Sequence, residues 1–228
     1  MQSEHAMFRD RRDAGQVLAR EVAALGNLGK AIVLALPRGG VPVAFPIALA
    51  CHFPLDVLVA RKIGAPRQQE LALGAIAGHG APVLNPGIVA QLHLSVREIE
   101  PLVAQERAEI ARQEALYRAG QPACALSGRT VILVDDGLAT GATMRAAVQA
   151  VRGQAQRIMI AVPVGPAETC DALAKEADRV VCPLRPRDFE AVGQYYGAFQ
   201  QVTNDEVCVL LAQAQRTHLR WQNRQGGA

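Results

Sequence analysis

The feature that most constrains the fold of this chain is a series of short, continuous aliphatic runs, most of which lead through a turn into a helix-like stretch. These runs cover residues 31–36, 55–60, 130–134, 158–162 and 179–182. Continuous Ile, Val and Leu residues are typical of strands buried on both faces. Strands that alternate with helices predict a parallel sheet with helices on either side. In such sheets ligands bind beyond the carboxyl ends of the strands, so the turns after the first three runs are where a site is expected.

The segments between and beyond these runs complete the predicted organisation. A strongly helical insertion is predicted at about 95–119, where Ser95 and Glu98 form a capping box. Residues 63–90 are rich in Gly, Ala and Pro and predict a mobile loop plus a hairpin. The chain after about residue 215 is predicted to be frayed. Further helices are predicted at about 14–25, 41–51, 143–152 and 167–177.

Composition argues against several classes of protein. The 228 residues carry a formal net charge of +3, and Arg and Lys are spread along the chain, so no nucleic-acid partner is expected. No apolar run approaches the roughly 20 residues of a membrane span, and the first residues lack the apolar stretch of a signal peptide. We therefore expect a cytoplasmic protein with no membrane partner. The five cysteines are scattered and form no CxxC pair, which argues against a zinc site or a disulfide framework.

The strongest chemical signal is the segment VILVDDGLATGATM at residues 131–144. A buried strand would deliver two adjacent carboxylates, Asp135 and Asp136, to its carboxyl end, and a turn would then open a helix. Gly137 and Gly141 permit a tight turn and close approach to a ligand. The free N–H groups at the helix start form a cradle for phosphate, and the helix dipole stabilises an anion there by about 0.3–1 kcal/mol.

The acid pair and the cradle together indicate a sugar phosphate as the ligand. Thr140 and Thr143 can add hydroxyl donors to the phosphate. Carboxylates that pointed into the cradle would repel the phosphate, so Asp135 and Asp136 are better used on neutral hydroxyl groups such as those of a ribose. The sequence has neither GxxxxGK[ST] nor GxGxxG after a strand, which argues against a nucleoside triphosphate loop and a dinucleotide fold.

Residues 131–144 resemble the signature of the type I phosphoribosyltransferase family: an apolar strand, two acidic residues, a few variable residues, then TG and a Thr. The resemblance implies that Asp135 and Asp136 hold the ribose hydroxyls of 5-phosphoribosyl 1-pyrophosphate (PRPP) and contact a metal ion directly or through water. It also implies a binding loop for the 5-phosphate, which consists of Ala139, Thr140, Gly141, Ala142 and Thr143.

A second segment follows the first predicted strand. At this position members of the family have a loop that contacts pyrophosphate, often through an unusual peptide conformation. The segment consists of Pro37, Arg38, Gly39 and Gly40. Paired glycines expose backbone N–H groups and Arg38 brings positive charge, so the residues themselves suit an anion. The alternative is a Pro-Gly turn with a solvated arginine.

A third segment, RKIGAP at 61–66, resembles the start of the flexible catalytic loop of adenine-type members. The resemblance implies that Arg61 contacts pyrophosphate and that Lys62 and Arg38 act in catalysis by stabilising the departing pyrophosphate. Glu70 is the nearest carboxylate for acid–base work. The alternative is an exposed basic turn. The chain is also similar to bacterial phosphoribosyltransferase-domain proteins of unassigned acceptor, in its LPRGG, ELALGAI and FEAVGQYY stretches.

The resemblance implies an α/β fold in which a parallel five-stranded sheet of order 2-1-3-4-5 is flanked by helices and carries a small hood and a helical insertion. One domain is predicted at 1–215 and a flexible tail at 216–228. Within the domain we expect a core at about 30–185, the insertion at about 95–119, and a hood from about 8–25, 70–90 and 188–205.

The implied function is that of a pentosyltransferase of nucleotide salvage. With PRPP and Mg²⁺ it would transfer a phosphoribosyl group to a nitrogenous base or related acceptor and release pyrophosphate. Members of this family often form dimers, so the resemblance implies a homodimer. Ala139 stands where hypoxanthine–guanine members place an Asp, which argues against a 6-oxopurine handled by that Asp. Phe189, Tyr195 and Tyr196 would either stack on the acceptor or belong to the core. Two alternatives stay open: a regulator that binds PRPP without turnover, and a phosphoribosyl hydrolase.

Overall fold

The computed structural model describes residues 8–66 and 68–225, except for the side chains of residues 68–70. The helices are α1 (Arg11–Ala23), α2 (Gly40–Cys51), α3 (Pro86–Gln91), α4 (Val96–Arg118), α5 (Ala142–Val151), α6 (Ala167–Leu173) and α7 (Asn204–Gln225), with a short 3-10 helix at Val192–Tyr195. The strands are β1 (Ala31–Ala35), β2 (Leu55–Val57), β3 (Ala60–Ala65), β4 (Gln68–Ala77), β5 (Val83–Leu84), β6 (Thr130–Val134), β7 (Arg157–Ala161) and β8 (Arg179–Val181).

A parallel sheet with the spatial order β2-β1-β6-β7-β8 forms the centre of the molecule. Counted along the chain within this sheet, the order is 2-1-3-4-5, so the predicted fold is confirmed. Strands β1 and β6 are wholly buried and lie side by side, with Ala35 opposite Val134. Successive side chains of a strand point to opposite faces. One face of the sheet therefore packs on α1, α2 and α7, and the other packs on α5 and α6.

A second, antiparallel sheet stands where the sequence predicted a mobile loop plus a hairpin. Strands β3, β4 and β5 pair in chain order, and α3 follows them. The predicted run 55–60 is therefore divided, because β2 ends at Val57 and Ala60 begins β3 of the other sheet. Gly74 lets β5 approach β4, since a Cβ at this position would overlap the Val83 carbonyl oxygen. Small residues of this kind lack the hydrophobic contrast by which strands are recognised in a sequence.

Helix α4 occupies the segment predicted to be a helical insertion, and of the predicted capping box it forms the bond from the Ser95 backbone N–H to Glu98 Oε2, at 2.9 Å. Its last residue, Arg118, is attached to the edge strand β2. The Arg118 guanidinium donates to Asp56 Oδ1 at 2.9 Å, to Glu114 Oε2 at 2.8 Å and to the Val57 carbonyl oxygen at 2.8 Å. The insertion is thus fixed to the sheet by a largely buried cation between two buried carboxylates.

Two of the three segments predicted to form a hood pack against each other. Phe8 pairs with Tyr196, and both belong to an apolar cluster that includes Tyr195 and Val164. Asp10 caps α1 by accepting a hydrogen bond from a backbone N–H of the first turn. Residues 70–90, the third predicted segment, instead belong to the antiparallel sheet and α3, and this sheet contacts α4 and α5.

Helix α7 corrects the prediction of a frayed, flexible tail. It continues through residues 216–225. Val207, Leu211 and Ala214 bury one side of its first half against the core, and in its second half His218 Nδ1 lies 3.0 Å from the His52 carbonyl oxygen. Near its end the Trp221 ring stacks on His52 with 5.1 Å between ring centroids. Residues 226–228 lie outside the described part of the chain. Within the described part, none of the helices combines the length and hydrophobicity that a membrane crossing requires.

Candidate functional site

The two central strands deliver two loops to the same edge of the parallel sheet. Strand β6 ends at Val134 and leads into Asp135 and Asp136, while β1 leads into residues 36–40. The two loops touch, because the Leu36 N–H donates to the Val134 carbonyl oxygen at 2.8 Å. A Cβ at Gly40 would lie 2.6 Å from the same oxygen, so this close approach requires glycine.

Residues 137–142 form an open loop that ends at the start of α5. Gly141 caps the helix with a φ of 74°, a conformation that favours glycine. Ala139 and Thr140 are exposed, whereas Gly141 is buried against α6. The Thr169 hydroxyl of α6 donates to the Ala139 carbonyl oxygen at 3.1 Å. Backbone N–H groups at a helix start that is open on one side can bind an anion.

Asp136 is held by two groups from the hood, through contacts that the sequence did not predict. Arg11 Nε donates to Asp136 Oδ2 at 2.8 Å, and Tyr196 donates its hydroxyl to the Asp136 carbonyl oxygen at 2.6 Å. The same guanidinium donates to the Gln200 carbonyl oxygen at 2.7 Å and lies 3.7 Å from the centroid of the Phe199 ring. Arg11 and Asp136 are 125 residues apart, so no local spacing signals this contact.

The surroundings of the acid pair disfavour two full negative charges. Burial raises the pKa of Asp135 well above its usual value, and the neighbouring Asp136 raises it further. Burial also raises the pKa of Asp136, whereas the hydrogen bond and the charge of Arg11 lower it. Burial raises the pKa of Tyr196, so its hydroxyl stays protonated and can donate. A ligand that brings hydroxyl donors or a cation would relieve the repulsion between the two carboxylates.

The loop at residues 37–40 lies directly against the acid pair. The peptide bond between Pro37 and Arg38 is cis, an unusual conformation at the place where the resemblance implies one. A Cβ at Gly39 would overlap Asp136 Oδ2 and lie 3.3 Å from Arg11 Nε. The Arg38 side chain is partly buried, and within the described residues no carboxylate lies within 4 Å of its guanidinium.

The other residues predicted for the site, Arg61, Lys62 and Glu70, lie on the antiparallel sheet. Arg61 forms an ion pair with Glu106 of α4. Lys62 follows on the other face of β3 and is exposed. The backbone of Glu70 lies in β4, but its side chain lies outside the described residues, as does Arg67. The structure therefore brings together the acid pair, residues 37–40 and residues 139–143, and it leaves the roles predicted for Arg61, Lys62 and Glu70 as predictions.

The aromatic residues of the hood are chiefly structural in this arrangement. Tyr195 and Tyr196 are each 5% exposed, and Phe189 stacks on Tyr195 with 5.7 Å between centroids. These two tyrosines belong to the apolar cluster and leave little ring surface for an acceptor. Phe199 is 36% exposed, and one face of its ring is covered by Arg11.

Comparison with known proteins points to one family. The family model described as "Phosphoribosyl transferase domain" matches residues 12–199. Two curated Mycobacterium tuberculosis proteins, named "Putative phosphoribosyl transferase MT0597" and "Putative phosphoribosyl transferase Rv0571c", are 46% identical over 212 residues, which is 92% of this chain and 47% of each relative. The chain thus spans about half the length of the curated relatives it matches. The crystal structure of TT1426 from Thermus thermophilus aligns with a TM-score of 0.77 and 42% identity, over 90% of this chain and 98% of that one.

Proposed function

The chain belongs to the phosphoribosyl transferase domain family, and from that premise we propose that it transfers the 5-phosphoribosyl group of PRPP to a nitrogenous base or related acceptor and releases pyrophosphate. The observation that carries the proposal is the acid pair beside an open helix start. Asp135 and Asp136 would accept hydrogen bonds from the ribose hydroxyls. The backbone N–H groups and hydroxyls of residues 139–143 would receive the 5-phosphate.

The loop at residues 37–40 would bind the pyrophosphate that leaves. Its two glycines lie against the end of β6, so the loop would adjoin the proposed sugar site. Negative charge grows on pyrophosphate as the bond to the sugar breaks, and cations placed there stabilise the transition state. Arg38 would supply such a charge, and Lys62 would add to it from β3. Arg61 would have to exchange its contact with Glu106 for one with pyrophosphate.

The acid pair also fits Mg²⁺ as part of the site. Mg²⁺ is usually held by one or two carboxylates together with the phosphates of its substrate. Within the described residues no cluster of three or more His, Cys, Asp or Glu side chains could hold a metal ion alone, so substrate oxygens would complete the coordination. Asp135 and Asp136 would hold the ion directly or through water, and the ion would neutralise charge on pyrophosphate.

The acceptor would lie between the sugar site and the hood. Ala139 offers no carboxylate there, so proton transfer at the acceptor needs another group, for which Glu70 is the proposed residue. The exposed ring of Phe199 is the aromatic surface in this part of the hood that an acceptor could contact.

The test combines the protein with Mg²⁺, PRPP and a panel of purine and pyrimidine bases, and measures pyrophosphate. We expect pyrophosphate release that depends on one base, and a fall of at least 100-fold in the variant D135N/D136N. Asp205, an exposed acid in the first turn of α7, gives the matched control D205N, which should keep full activity. Unchanged turnover in D135N/D136N would refute the assignment of the acid pair. Binding of PRPP without product from any base would favour the regulator, and ribose 5-phosphate formed without a base would favour the hydrolase.

A further inference from the structure

Arg11 reaches the acid pair from the N-terminal helix and is itself almost enclosed. Its side chain is 12% exposed, compared with 82% for the side chain of Arg9 two residues earlier. The guanidinium makes three contacts in different directions: Asp136 Oδ2, the Gln200 carbonyl oxygen and the face of the Phe199 ring. These contacts fix both the position and the plane of the guanidinium.

The consequence for Asp136 is that its two carboxylate oxygens have different surroundings. Oδ2 accepts the hydrogen bond from Arg11 Nε and lies so close to Gly39 that a Cβ on that glycine would overlap Oδ2. Oδ1 accepts no hydrogen bond within the part of the chain that the structure describes, and it is not a buried unsatisfied atom. One oxygen is therefore bound to the hood, and the other is left free at the open edge of the sheet.

We propose that Arg11 is a positioning residue of the sugar site: it holds Oδ2 of Asp136 so that Oδ1 faces the ribose hydroxyls. The inference rests on the proposed function, because it takes the acid pair as the ribose ligand. Gln200 and Phe199 take part by fixing Arg11, so the C-terminal half of the hood contributes to sugar binding although it does not touch the sugar. Lysine could not replace this arginine fully, because the two hydrogen bonds come from two different nitrogens of a planar group that also lies on the Phe199 ring, and lysine has a single nitrogen and no plane.

The test is a double-mutant cycle on PRPP binding, measured by calorimetry with Mg²⁺ for the wild type, R11Q, D136N and R11Q/D136N. We expect R11Q to weaken binding about tenfold, which corresponds to about 1.4 kcal/mol. If Arg11 acts through Asp136, the double variant should bind no more weakly than D136N alone. The variant R11K should recover part of the loss. The matched control is R9Q, which removes an exposed ion pair with Asp13 in the same segment and should leave binding unchanged.

The outcomes separate this inference from the proposed function. A wild-type protein that does not bind PRPP would refute the proposed function and with it this role. If the wild type binds PRPP, two results would refute the role of Arg11 and leave the proposed function standing. The first is a folded R11Q that binds within twofold of the wild type, and the second is a cycle in which the losses of R11Q and D136N add. If R11Q does not fold, F199L tests the same idea, because it keeps the ion pair and removes the ring that fixes the guanidinium. F199L should weaken binding measurably, and an F199L that binds as the wild type does would overturn the proposal.

Discussion

At the scale of single residues, the surroundings of Asp135 favour the binding of a ligand but reduce the stability of the ligand-free protein. Burial raises its pKa, so ionisation of Asp135 is less favourable in the folded state than in the unfolded state. The variant D135N should therefore melt at a higher temperature than the wild type at pH 7 with EDTA present. Scanning calorimetry measures this difference, and in a chain of this size each 1 kcal/mol of added stability raises the midpoint by roughly 2–4 °C.

The pH dependence of this difference follows from the direction of the pKa shift. Because the folded-state pKa lies above the unfolded one, the wild type loses stability as pH rises from about 4 through the folded-state pKa. Residue 135 of D135N cannot titrate, so the stability advantage of the variant should grow as pH rises from about 4 to 7 and should vanish near pH 4. The control D205N should show no such trend. A D135N that melts below the wild type at pH 7 would show that Asp135 is stabilised in the empty fold.

Gly39 gives a second residue-scale prediction. In G39A the new methyl group would lie 2.6 Å from Asp136 Cγ and overlap its Oδ2, so the acid must move away from Arg11. We expect PRPP binding to weaken by roughly tenfold or more, the loss that Arg11 removal would cause. The matched control is G87A on α3, where the nearest atom, Asn85 Oδ1, lies at an ordinary contact distance of 3.4 Å. Calorimetry on both variants decides the question, and equal binding by G39A and G87A would contradict this reading of the contact.

What could be predicted for the site depends on how near its parts lie in the sequence. Asp135, Asp136 and the loop at 139–143 lie in one continuous segment. Its order of residue types, an apolar strand followed by two acids and a turn into a helix, predicts a sugar-phosphate site. Arg11 and Thr169 approach that segment only through the tertiary fold, and each has an ordinary helical environment in the sequence. Contacts of this type carry no local pattern, so sequence reasoning did not find them.

At the scale of the elements, the attachment of α4 to β2 depends on one cation. Replacement of Arg118 by Met would leave Asp56 and Glu114 as buried carboxylates without their partner. Removal of one partner of a buried ion pair typically costs about 3–5 kcal/mol. We expect R118M to lose stability of this order in urea unfolding.

The same helix offers a matched control for this prediction. Arg112 pairs with Glu109 three residues earlier, but its side chain is 63% exposed. Exposed pairs contribute about 0–1 kcal/mol, so R112M should change the unfolding midpoint little. A loss in R118M no larger than that in R112M would mean that α4 is attached mainly by its apolar contacts.

The elements differ in how well the sequence predicts them. Most of the parallel strands are rich in Val, Ile and Leu because both of their faces are buried, and this composition predicts their ends to within one residue. Strand β2 is the exception, because the predicted run 55–60 continues past its end into β3. The antiparallel sheet uses Gly and Ala, and β3 contains register shifts beside Gly64. Its strands therefore lack both the alternation and the bulky residues that predict a strand, and the sequence predicts a mobile loop plus a hairpin in their place.

At the scale of the whole molecule, the candidate site joins segments from both halves of the chain. The strand order places β1 and β6 side by side at the centre, so two loops about 100 residues apart meet at one sheet edge. The hood then joins residues 8–11 to residues 195–200 and closes on Asp136. The sheet order could be inferred from the resemblance, whereas the closure of the hood depends on side-chain contacts between the two ends of the domain.

The C-terminal helix provides a test of whether the molecule unfolds as one unit. Trp221 is the single tryptophan of the chain, and it lies near the end of α7 against His52. Since Leu211 anchors the helix in the main core, we expect tryptophan fluorescence and far-UV circular dichroism to give the same urea midpoint. The variant L211A should lower both midpoints together, by a free energy of about 2–5 kcal/mol, whereas L219A, which truncates a half-exposed side chain, should lower neither appreciably. If fluorescence changed at lower urea than circular dichroism, α7 would separate before the sheet unfolds, and residues 216–225 would behave as the flexible tail that their charge and composition predicted.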